Sequence, residues 1–107
     1  MTQDGNMKIE DEALLLVSRS KGDKSKDRDY VKKLSNAILQ VYTKHETAKL
    51  RCVGAASLNN AIKAFIIAKE EIKKRANLDS LFLDPSFTVV DFQGEEKTGI
   101  VFLVVSK

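Results

Sequence analysis

The apolar positions of this chain start late and then change period several times. Residues 1 to 12 show no apolar repeat and are rich in Gln, Asp, Gly, Asn and Glu, a composition too polar to order itself, so a disordered N-terminal segment is expected there. The run Ala13-Leu14-Leu15-Leu16-Val17 is short, apolar and followed by a polar cluster, which predicts a buried first strand. From Asp29 onward, Val31, Leu34, Ile38, Val41 and Tyr42 recur at three- and four-residue steps. That spacing predicts a helix with one buried face, with Asp27 or Asp29 available to cap its start. Past the polar turn Thr43 to Thr47, the stretch Ala48 to Val53 alternates in part and predicts a second strand ending at Gly54.

The second helix has the clearest period. Leu58, Ala61, Ile62, Phe65, Ala68 and Ile72 form one apolar stripe, and Ala64 and Ile67 widen it until it can meet two surfaces. Ser57 is the expected N-cap, Lys73, Lys74 and Arg75 place cations where the helix dipole favours them, and Asn77 is the expected stop. Two further strands follow, Leu78 to Phe92 and Lys97 to Ser106, joined by the turn Gln93-Gly94-Glu95-Glu96. Pro85 predicts an edge position, a bend or a bulge in the first of them. The run Ile100 to Val105 has no polar alternation at all, which implies cover on both faces of the sheet.

The order β-α-β-α-β-β, read with the right-handed crossover rule, predicts an α/β two-layer sandwich: a mixed four-stranded sheet with two helices on one face. With 107 residues, 43% of them hydrophobic, the chain supports one core, so residues 13 to 107 are expected to form a single domain. Nothing resembles a membrane span or a secretory signal, so the expected location is the cytoplasm, nucleoid-associated or, in a eukaryote, nuclear. Cys52, the one cysteine, sits between Leu50 and Val53 and reads as a core thiol, and the lone His45 in a polar stretch lacks the neighbours a zinc site or triad needs. No catalytic set, metal cluster or cofactor motif assembles from spacing, so a protein that binds rather than catalyses is expected, with no cofactor.

The net charge of +3 is modest, and its distribution says more than its sum. The segment Ser18 to Arg28, expected to be a loop, carries Arg19, Lys21, Lys24, Lys26 and Arg28 against Asp23 and Asp27. The junction Gly54 to Lys63 puts small residues and the amides of Asn59 and Asn60 where a strand turns into a helix. It reads equally as an anion site on free backbone N–H groups or as a close-packing element with cap residues.

The segments GAASLNNAIKAFIIAKEEI and PSFTVVDFQGEEKTGIVFLVV resemble, in order and spacing, the stage V sporulation protein S family. The match runs through Gly54-Ala55, Leu58-Asn59, Ala61-Ile62-Lys63-Ala64, Pro85, Phe87-Thr88 and Gly94 to Thr98, within residues 50 to 105. The resemblance implies an Alba-like fold, a homodimer with scope for higher assembly, and a nucleic-acid-binding role in a developmental programme such as sporulation. Alba proteins meet nucleic acid through a basic residue near the start of the second helix and through the last hairpin. This chain departs from them in having Asn60 where the lysine would stand.

The leading expectation is thus a dimeric binder of DNA or RNA with weak sequence preference. Arg19, Lys21, Lys24, Lys26 and Arg28 would meet phosphates, Lys63 and Lys97 would add charge, and Asn59 and Asn60 would donate amide hydrogen bonds. The rival is a protein-interaction module or regulatory adaptor in which the basic loop is merely solvated.

Overall fold

The computed structural model describes residues 13–18, 24–76 and 81–106. The order is β1 (Leu14–Val17), α1 (Lys24–His45), β2 (Ala48–Cys52), α2 (Ala55–Ala76), β3 (Leu81–Phe92) and β4 (Glu95–Ser106). They build the expected α/β sandwich. The sheet order is β1-β2-β4-β3, with β1 parallel to β2 and the other pairs antiparallel. The segment 1 to 12 and the helix stop at Asn77 lie outside the described residues.

The ladder register explains which side of the sheet is buried. Leu15, Leu50 and Phe102 are lateral neighbours, as are Val17, Cys52 and Ile100; partners in a ladder share a face. These residues pack against Val31, Leu34 and Ile38 of α1 and Ala61, Ala64, Phe65 and Ala68 of α2 in one cluster. Strand β2 therefore alternates, with Ala48, Leu50 and Cys52 almost wholly buried between the partly exposed Lys49 and Arg51. The alanines of α2 let the helix lie close to its neighbours, an arrangement bulkier side chains would force apart.

Several boundaries differ from the sequence reading, each for a local reason. Helix α1 starts five residues earlier than Asp29, so Asp27 and Asp29 lie inside it and neither caps it, and the expected loop loses Lys24 to Arg28 to the helix. The last turn is Gln93-Gly94 alone, with both residues at positive φ (54° and 83°), and Glu95 and Glu96 already belong to β4. That geometry suits the twist of a two-residue hairpin. Pro85 does sit on an edge strand, in unbroken register opposite Phe102, where its missing N–H costs no ladder bond. Gly99 is needed for close approach: a Cβ there would stand 2.6 Å from the Cys52 carbonyl oxygen.

Candidate functional site

The β2–α2 junction is built around Gly54, whose φ of +94° is a conformation L side chains rarely adopt. Its carbonyl accepts from the Leu58 N–H at 3.2 Å, which makes Gly54 the residue that opens α2. Ser57 is consequently not the N-cap. It lies in the first turn, and its buried hydroxyl donates back to the Val53 and Gly54 carbonyls at 2.8 and 3.0 Å. Ala55, Ala56 and Asn59 are exposed on the outer side of this turn, and no acidic residue stands in it.

Asn60, by contrast, is 4% exposed, and its Nδ2 donates to the Ser18 carbonyl at 3.3 Å. The Ser18 N–H in turn donates to the Tyr30 hydroxyl at 2.8 Å. The end of β1 is thereby tied to both helices, by a side chain from each. Arg19 and Lys21 lie outside the described residues, as do the side chains of Lys24 and Lys26.

Between the helices lies an open groove of about 820 Å³. Among the described residues, Arg28 and Lys32 of α1 and Lys63 of α2 supply cations, Asp29 a carboxylate, and Val31, Ile66 and Ile67 apolar wall. Arg28 and Lys32 are four residues apart on one helix, and therefore share a face. The three cations are exposed, so the groove presents positive charge over an apolar surface, suited to a phosphate-bearing ligand with an apolar body. Ile66 and Ile67, 49% and 43% exposed, account for the second surface implied by the wide stripe of α2.

The structure thus brings Arg28, Asn60 and Lys63 together and leaves Lys97 elsewhere, exposed on β4 opposite Val90 in the hairpin. One residue of the groove and one of a neighbouring cavity escape a sequence reading. With Arg28 expected in a loop, Lys32 shares no face with it; with the helix starting at Lys24, the four-residue spacing puts both on one face. Phe87, 80% exposed, lines a smaller cavity of about 230 Å³ with Gly54, Ala55, Leu58 and Ile100. Its alternation with Val89 looks like an inward face, but the distal part of the hairpin leaves both side chains exposed.

Cys52 is 2% exposed, and burial pushes its thiol up to about 11, in keeping with an inert core thiol. Among the described residues no cluster of His, Cys, Asp or Glu could hold a metal ion, and no helix is long and apolar enough to cross a membrane.

Comparison with known families matches residues 25–107 to one family model, described as Stage V sporulation protein S (SpoVS). The matched span takes in the groove cations, the β2–α2 junction and the whole hairpin.

Proposed function

The chain belongs to the stage V sporulation protein S family, and on that footing we propose a sporulation-related, homodimeric nucleic-acid-binding protein that holds a phosphate backbone in the groove between α1 and α2. The observation that carries this reading is the convergence of Arg28, Lys32 and Lys63, from two helices, on one groove. Contacts of this type set position without reading bases, so binding is weakly sequence-dependent. Arg19, Lys21, Lys24 and Lys26 precede Arg28 in the sequence, and their charge would add to that of the groove. Asn60 lines the groove but is engaged with Ser18, and Asn59, exposed one position before it, stands outside the groove lining, so the cations carry the contact. Among the described residues the groove offers three cations, one carboxylate and one amide, charge and shape rather than a nucleophile with its base, which supports a reading by binding rather than by catalysis.

Fluorescence anisotropy with generic duplex DNA, duplex RNA and single strands, titrated with salt, tests this. Three neutralised phosphates predict a log–log slope of about −2.7 on duplex DNA, and more if the 19 to 26 cations take part. The variant Arg28→Ser/Lys32→Ser/Lys63→Ser should flatten the slope and weaken all sequences alike. Unchanged affinity and slope would remove the groove from the interface. No binding to any nucleic acid at low salt would leave the protein-interaction module in its place.

A further inference from the structure

The sheet has a second face, and neither helix lies on it. Strand β4 sends Val101, Leu103 and Val105 to that side, and none of them belongs to the buried core or to the shell packed on it. Strand β1 adds Leu16, which is 63% exposed. The cover implied by the unbroken apolar run of β4 is therefore not supplied by the described residues.

Charge on this face is ordered by the register. One row of neighbours reads Lys49 on β2, Leu103 on β4 and Asp84 on β3; the next reads Arg51, Val101 and Ser86. In these two rows the β4 column is apolar, its β2 flank is cationic, and its β3 flank bears a carboxylate and a hydroxyl; one row further, Val105 stands opposite Phe82 of β3, over whose ring Lys69 of α2 reaches at 5.6 Å. We propose that a second copy of this chain docks on this face, sheet against sheet, about a two-fold axis parallel to β4. Rotation about that axis exchanges the β2 and β3 flanks and leaves every row at its own height. Leu103 then meets the partner's Leu103, Lys49 faces the partner's Asp84, and Arg51 faces the partner's Ser86. A two-fold axis perpendicular to the strands would instead stack the cationic flank on itself.

Four strands about 4.8 Å apart make a face on the order of 20 Å across, which places the contact among small, reversible interfaces rather than permanent ones. The helices and their groove stay on the outer layers, so assembly and ligand binding are separable. The proposal deepens the dimer of the proposed function and rests on that reading only for self-association itself.

Sedimentation equilibrium of the full chain, at concentrations up to about 0.5 mM as so small an interface requires, tests it. Wild type should self-associate. Leu103→Arg, which sets two cations against each other on the axis, should sediment as a monomer with unchanged far-ultraviolet circular dichroism. Lys49→Asp and Asp84→Lys should each weaken association by about fivefold or more at low salt, and the double exchange should restore it. Should Leu103→Arg fail to fold, the charge exchange decides alone.

A monomeric wild type would overturn the proposal. So would a folded Leu103→Arg that associates normally, or dissociation by Ile66→Arg on α2 where Leu103→Arg has no effect. Self-association that appears only after removal of residues 1 to 12 would also overturn it, by assigning the face to that segment. The groove variant should remain dimeric while losing nucleic acid, so failure of either reading leaves the other measurable.

Discussion

Replacing Asn60 with leucine separates two roles that the start of α2 can play. The side chain is 4% exposed and its Nδ2 bond to the Ser18 carbonyl is 3.3 Å long. Leucine has the same branched heavy-atom skeleton and is the bulkier side chain, so no cavity opens, and the main loss is that of one neutral hydrogen bond, about 0.5–1.5 kcal/mol. Ser18 is exposed, so its carbonyl recovers water, and a cost of about 1 kcal/mol follows. With an unfolding entropy of about 2.1 cal/mol/K per residue, that lowers the melting temperature of a domain this size by about 4–5 °C. Differential scanning calorimetry reads the first effect, and the salt titration on duplex reads the second. Asn60→Leu should lose stability and keep its affinity within about twofold once folded, since the amide already serves Ser18. Lys63→Ser should do the reverse. An unchanged melting temperature would show that the Ser18 tie does not hold β1 to α2. A loss of affinity matching that of Lys63→Ser would put the amide on the ligand.

Two further outcomes follow from the packing. Gly99→Ala forces a methyl to 2.6 Å from the Cys52 carbonyl oxygen and to 3.2 Å from Val53 Cγ2. Because the nearer obstacle is backbone, about 2 kcal/mol of stability should be lost in urea denaturation, and a neutral result would mean β2 and β4 part more easily than their register suggests. The Cys52 thiol, raised from 9.0 to about 11 by burial, favours its neutral form in the fold. Its contribution is complete below about pH 9 and is lost as pH climbs toward 11. Melting curves across that range should show a decline that Cys52→Ala reduces, and a thiol reagent at pH 8 should react only as the protein unfolds; rapid reaction in the native state would contradict the burial.

Much of the fold was readable in one dimension because it rests on local periods. The three- and four-residue steps of α1 and α2 and the alternation of β2 state both the element and its buried side. The topology then follows from chain order, since two parallel strands joined by a helix leave few arrangements. Ends of elements were less legible. Lys24 to Arg28 is polar throughout, so no apolar signal announces that it is helical. Ser57 fits the preferred cap chemistry, yet Gly54 takes the position because its positive φ lets the strand turn directly into the helix.

The composition of the candidate site was visible; its assembly was not. Arg28 and Lys63, 35 positions apart, carry nothing in their local sequence to say that they share a groove, and Asn60 looks as much like a ligand donor as Asn59 beside it. Helical phase decides between those two amides: a step of about 100° around α2 turns one toward Ser18 and the other toward solvent. The cationic and acidic flanks of the open sheet face likewise exist only once β4 is inserted between β2 and β3. The sequence by itself determined the elements, the family and the sign of the charge, because these depend on neighbours along the chain. Which charges share a surface was decided by the tertiary structure, because that depends on strand order and register.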